Sequence, residues 1–421
     1  MNYKYTSNPS EVEEIAKQLR LEKSIAVDTE TTGLHPHDNQ VILLSLSSRK
    51  NTYLIDTRDK RCLLACKDLL ADEAIAKLGF NLLFDYSMIK GTAGIDLEGC
   101  WDLFLGEIAL TNGIQFDGRS LAAVTKKYIK KERDKTLQKS FIGHVGEFTT
   151  EQLAYAAEDT ADLFLIGDEM KKKIIQENLL ATWRTENNAI PAYGDMYVYG
   201  QKLDTSAWTD LMHTQQGKLL EAKKELDTFF EPVYGQDLFG GTAVNYGSHS
   251  QVLYGLQWMG VEIDGAEIES TGKEVQKKIM HLPVIMALNK YRAAETAISR
   301  YGQKWLDAIN KKTGRIHLQN NQWGTETGRG SGKGGLNDRN IPRDKRYRQC
   351  FTTDSDRLIS TVDYSGAELR ILAELSGDEL MIKGFNSGVD FHCFVAAMLF
   401  NREKVEKKDP IRQPTKTINF G

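Results

Sequence analysis

Three segments within residues 24–57, SIAVDTET, QVILLSLSS and NTYLIDT, alternate in part between apolar and polar positions. Turn-like stretches such as GLHPHDN and SSRKN separate them, so they predict three strands. Strands this close in sequence predict an antiparallel meander. Helical periodicity follows in CLLACKDLLADEAI, LLFDYSMIKG, DLFLGEIALTN and SLAAVTKKYIK, and a long helical pattern runs from about Glu151 to Asn178. Strands followed by helices that can cover them predict an α/β or α+β layer architecture, and with the chain's length a multi-domain α/β fold. Past about residue 185 the strand signal fades. QQGKLLEAKKELDTFF is amphipathic and helical, and residues 272–312 predict two helices interrupted near Pro283. A Gly-rich stretch, TGRGSGKGGLNDRNIP, comes next. DRLISTVDYS then predicts a strand that ends in a carboxylate, with further helices after it.

Composition narrows the class. The 421 residues allow two or three domains at roughly 100–200 residues each. With 41% hydrophobic and 27% charged residues the chain reads as globular, neither disordered nor membrane-embedded. The N-terminal MNYKYTSNPSEVEE has no apolar core like that of a signal peptide, so the expected location is the cytoplasm. Cys62, Cys66, Cys100, Cys350 and Cys393 are scattered and read as reduced thiols. A net charge of -4 gives no global attraction to nucleic acid. Between Lys311 and Arg348, however, ten Lys or Arg face three Asp or Glu, which is either a solvated loop or a local phosphate track.

Candidate chemistry begins in VDTETTG. Asp28 and Glu30 are two apart on a strand, so they share one face, where they repel unless a cation neutralises them. Carboxylate oxygens suit magnesium or manganese. Asn81 stands four residues before Asp85, and Tyr155 four before Asp159, one helix turn in each case. Four acids so gathered can hold two metal ions ~4 Å apart, and a tyrosine hydroxyl can orient a water. Each piece alone reads more blandly, as a solvated turn or a core tyrosine.

Together and in this order, DTETTG, NxxxFD and YxxxD resemble the proofreading exonuclease domain of the DEDD type, in its tyrosine variant, over roughly residues 20–180. The resemblance implies an RNase H-like fold and stepwise removal of nucleotides from a 3′ end with two divalent metals. It makes Asp28, Glu30, Asp85 and Asp159 the metal ligands, Tyr155 the residue that positions water, and Asn81 a contact to the substrate strand.

The second half carries its own pattern. In VDYSGAELR, Asp363 ends the predicted strand and Glu368 starts a helix. In RQPTKTINFG, Arg412, Lys416 and Phe420 fall four apart, which makes a stripe of two cations and a ring suited to a nucleoside triphosphate. The plainer reading is an amphipathic helix with a solvated basic face. IPAYGDMYVYGQKLD, TGRIHLQNNQWGTETGR, RQCF and DYSGAELR, in this order over about residues 185–421, resemble family A DNA polymerases. That resemblance implies a thumb at about 205–310, the start of a palm at about 311–380 and the start of fingers at about 381–421, after an exonuclease domain at 1–185. It makes Asp363 a palm metal ligand, Glu368 the residue that rejects ribose, and Arg412, Lys416, Phe420 and His392 the nucleotide site. Arg329 would lie near the primer terminus, and the basic stretch becomes a DNA track.

Two features depart from the family pattern. Gly366 stands where glutamine is usual, and the loop before NIP reads GSGKGGLNDR in place of a Ser/Asn-rich one. The loop is no P-loop, because Thr327 and Gly334 occupy positions that need Gly and Ser or Thr. His35 and His37 read as turn residues. The chain as given stops at NFG, before the family's second palm aspartate, so the expected polymerase site is completed only by a further C-terminal fragment. The expected partners are primer–template DNA, single-stranded 3′ ends, deoxynucleoside triphosphates and that fragment. The layout is phage-like. Two alternatives are a stand-alone exonuclease with a vestigial DNA-gripping half and a non-catalytic replisome subunit.

Overall fold

The computed structural model describes residues 3–112, 118–134 and 136–419. They fall into two compact units divided after Asp354.

The first unit is organised around a mixed sheet of β1 (Tyr3–Thr6), β2 (Ser24–Thr31), β3 (Val41–Ser47), β4 (Thr52–Asp56), β5 (Ala76–Gly79) and β6 (Cys100–Asp102), in the order β1-β4-β3-β2-β5-β6. The expected meander is there: β2 pairs antiparallel with β3, and β3 with β4. β1, β5 and β6 add parallel pairings at its flanks. Being only three or four residues long, they carry too few alternations to stand out as strands.

Both faces of the sheet are covered, which is why β3 is buried at every position. On one face Ile42, Leu43 and Leu54 pack with Phe141, Ala156 and Ala157 beneath the helix Thr150–Ala161. On the other, Ile25, Leu44 and Leu46 join the larger core with Val12, Leu63, Tyr86 and Ile166.

Several expected helices take a different form. CLLACKDLLADEAI gives two short helices, Lys60–Ala65 and Lys67–Leu70, with turn residues leading into β5. The long pattern from Glu151 breaks at Asp162 into Thr150–Ala161 and Leu163–Gln176. Asp162 keeps right-handed helical dihedrals at this interruption, and its carboxylate binds Lys131 and Arg133.

The helix Leu180–Tyr199 runs through residue 185, and its Trp183 and Ile190 belong to the core around the sheet. Beyond it, the helix Thr205–Tyr234 packs along Pro283–Tyr301, where Pro283 takes the first helical position. Leu226, Phe230, Val252, Ile285 and Leu288 form the core at one end of this pair. Trp208, Tyr301, Trp305 and Tyr347 form it at the other. The Gly-rich stretch closes a hairpin between Gln319–Asn321 and Ser331–Lys333.

In the second unit, the helix Phe391–Leu399 packs with Arg412–Asn419 around a small core of Cys393, Ala396 and Val405, and Glu379–Asn386 lies between Phe391–Leu399 and Ala367–Ser376. One expectation fails here. DRLISTVDYS forms no strand, and Leu358 and Val362 are 97% and 91% exposed. Its pattern suits a strand, but a strand also needs a neighbour for its N–H and C=O groups. None of the described residues pairs with it. All five cysteines are free and buried. Among the described residues no helix is long and apolar enough to cross a membrane.

Candidate active site

β2 carries Asp28 and Glu30, and a bulge follows immediately, between Glu30 and Thr31. Bulges of this kind re-aim side chains at the end of a strand. The helix Thr150–Ala161 lies across β2, β3 and β4 and brings Tyr155 and Asp159 to the same place. A capping box fixes the start of that helix: Thr149 Oγ1 accepts from Gln152 N at 3.2 Å, and Gln152 Oε1 accepts from Thr149 N at 3.0 Å. Carboxylate oxygens of Asp28, Glu30 and Asp159 consequently lie within 4.8 Å of one another. The Tyr155 hydroxyl lies beside these acids, and burial together with the negative charge of Asp159 pushes its pKa up.

Asp85 completes the acidic cluster from the helix Leu82–Ala93. The Thr29 hydroxyl donates to Asp85 Oδ1 at 2.6 Å. The start of this helix is held by Asp102, which no sequence motif marks. Its buried carboxylate accepts from the backbone N–H groups of Asn81 (2.8 Å), Leu82 (2.9 Å) and Phe104 (2.8 Å), and so fixes the first turns of two helices. Asn187 and Trp183 in turn bind the Asp102 backbone. Asn81 itself has φ 66°, a left-handed value that asparagine tolerates. It lines a small cavity of about 70 Å³ with Phe84, Tyr193, Tyr197, Asn320 and Lys333, so the expected strand contact lies beside the Gly-rich hairpin.

Electrostatics mark this cluster as strained. Burial and the neighbouring Asp85 push the Asp28 carboxyl far above the usual range. Burial and Asp159 do the same to Glu30. Burial pushes Asp85 up to about 7 despite the Thr29 hydroxyl, and it also raises Asp159. A raised carboxyl pKa stabilises the fold below the ordinary unfolded value, and that contribution is lost as pH rises through the folded value. The metal-free chain should therefore melt lower at pH 8 than at pH 6. Magnesium should raise the melting temperature by about 5 °C or more at pH 8 and by less at pH 6. Calorimetry showing a magnesium effect independent of pH would contradict this.

Sequence reasoning passed over Arg133, which sits in the charged run KKYIKKERDK and reads there as solvated. Its side chain is only 5% exposed and contacts Asp159. Burial is the property that a run of charges hides.

The remaining candidates lie apart from this cluster. Arg329 is exposed in the hairpin loop, where its N–H donates to Thr325 Oγ1 at 3.0 Å. Asp363 is exposed on the segment that forms no strand, and Glu368 is exposed in the first turn of Ala367–Ser376. Gly366, before that helix, has φ 64°, a conformation that glycine adopts without strain. Arg412 binds Asp390 through both carboxylate oxygens, at 3.1 and 2.7 Å. Arg412 and Lys416 share one helix, as expected, and both lie near His392, whose imidazole is shifted down mainly by burial. Phe420 lies outside the described residues.

Residues 3–175 match the family described as 3′–5′ exonuclease, and residues 215–421 match DNA polymerase family A. DNA polymerase I of Chloroflexus aurantiacus is 26% identical over 97% of this chain and 45% of its own length. The thermostable DNA polymerase I of Thermus aquaticus is 39% identical over 33% of this chain and 17% of its own. The chain spans about half the length of the DNA polymerase I relatives that it matches along its whole course. A solved structure, the POL domain of Pol1 from M. smegmatis in complex with DNA primer-template and dNTP, has a TM-score of 0.75 at 20% identity. It covers 99% of this chain and 70% of its own, a likeness of fold. With an exonuclease match over its first half and a polymerase match over its second, the chain belongs to the family A DNA polymerases that carry a 3′–5′ exonuclease domain.

Proposed function

We propose that this chain removes nucleotides stepwise from the 3′ end of DNA, using divalent metal held by Asp28, Glu30, Asp85 and Asp159. The observation that carries this reading is the group of four carboxylates, buried at Glu30, Asp85 and Asp159 and half-buried at Asp28, with Asp28, Glu30 and Asp159 within 4.8 Å of one another. The donor set fits the metal: every donor is a hard oxygen, and the carboxyls that burial pushes toward protonation are those a divalent cation would return to the charged form. Magnesium or manganese is the ion class that such donors take. When bound, two such ions supply the positive charge that cleavage of a phosphodiester requires. Tyr155, one helix turn before Asp159, orients the attacking water. Asn81 contacts the substrate strand.

The 186–421 portion is read as the polymerase part, with thumb, palm and fingers segments in that order. Residues 225–272 contain no Lys or Arg, so its phosphate-binding charge is concentrated in the basic stretch 311–348. Arg329 on that stretch approaches the primer end. His392, Arg412 and Lys416 hold the triphosphate of an incoming deoxynucleotide, with Phe420 on its base. Glu368 excludes ribose and Asp363 binds metal. Synthesis needs a second carboxylate beside Asp363, which a C-terminal polymerase fragment would supply. The expected setting is the cytoplasm.

Single-stranded DNA labelled at its 5′ end tests the exonuclease reading. The label should pass through a ladder of products one nucleotide apart in magnesium or manganese. Release of label as a mononucleotide at the outset, or cleavage at internal positions, would contradict removal from the 3′ end.

A further inference from the structure

Arg133 offers its guanidinium to three acceptors at the edge of the acidic cluster. Nη1 donates to Asp159 Oδ1, while Nη2 donates to the Glu158 carbonyl at 2.8 Å and to Asp162 Oδ2 at 3.0 Å. Asp162 is also bound by Lys131 at 2.8 Å, and Lys131 reaches Glu158 as well. Asp162 thus has a cation of its own, and the charge of Arg133 falls largely on Asp159. Its pull extends to Asp28, whose carboxyl it draws downward against the push of burial. A guanidinium does not deprotonate in a protein, so this positive charge is permanent.

We propose that Arg133 is a positioning residue that limits how tightly the carboxylate cluster holds divalent metal. It occupies one oxygen of Asp159 and fixes the other for an incoming ion. It also adds a unit of positive charge beside that ion. The cation bound through Asp159 is therefore the weaker and more readily exchanged of the two. The inference rests on the reading of the cluster as a metal site.

Titration calorimetry with manganese alone, on the full chain, tests it. Removing a unit charge a few ångströms from a divalent ion changes its affinity by about tenfold or more, even at a water-like dielectric. Arg133→Met should tighten the weaker manganese event by about that factor, and Arg133→Lys, which keeps the charge, should stay within about twofold of the parent. A purely structural Arg133 predicts the opposite, weaker binding in Arg133→Met as Asp159 loses its support. Unchanged or weakened binding in that variant, or equal tightening in Arg133→Lys, overturns the proposal. If Arg133→Met does not fold, Asp162→Asn carries the test. It releases Arg133 toward Asp159 and should weaken the same event at least about threefold, and unchanged or tighter binding overturns the proposal. A parent chain that binds no manganese overturns the metal-site reading itself and this inference with it.

Discussion

Replacing Asp28 and Glu30 together by alanine is expected to bring 3′→5′ degradation of single-stranded DNA to background. Loss of one electrostatic stabiliser in an active site costs about 10²–10³-fold in turnover, so loss of two should cost roughly 10⁴-fold or more. Fold damage does not account for this expectation. Both carboxyls sit where burial and neighbouring acids disfavour their charge, and removing them relieves that repulsion. The double variant should therefore melt at the same temperature as the parent or higher at pH 8 without metal. Activity within tenfold of the parent would sink the site assignment. Lost activity accompanied by a large drop in melting temperature would point instead to damage of β2.

Primer extension by the 421-residue chain on its own is expected to stay undetectable, while its exonuclease activity remains. Bridging two ions takes more than one carboxylate. Among the described residues, Asp28, Glu30 and Asp159 are the group positioned to hold a metal, and none forms around Asp363. Asp363 is exposed on a segment that forms no strand with any of the described residues, whereas a metal ligand needs a rigid scaffold. The same residue type at Asp28 has one in β2. The assay uses a labelled primer–template with all four deoxynucleoside triphosphates and the Asp28→Ala, Glu30→Ala variant, so that degradation does not mask synthesis. Templated extension by material free of other polymerases would overturn this expectation.

The parts of this molecule that were legible in the sequence share a physical reason. β2, β3 and β4 are five to eight residues long and joined by turn residues, so period-two patterning reveals them. Asp28 and Glu30 stand two apart on a strand, and Tyr155 and Asp159 four apart on a helix, spacings that convert directly into shared faces. Asp102 and Arg133 were hidden for the opposite reason. Each works through partners far away in the chain or through burial, as when Asp102 binds Asn81 and Leu82 about twenty residues earlier. DRLISTVDYS shows the complementary error. Its local pattern specifies a strand, yet pairing is a property of a neighbour, and the described residues offer none.

The central claim is that the buried cluster at the end of β2 is a divalent-metal site. Crystals of the chain soaked in manganese and measured at its absorption edge test this most directly. The account predicts anomalous density between Asp28, Glu30 and Asp159, with a second, weaker peak in reach of the same cluster, and none in the Asp28→Ala, Glu30→Ala variant. Manganese bound elsewhere, with no peak among these carboxylates, would contradict it.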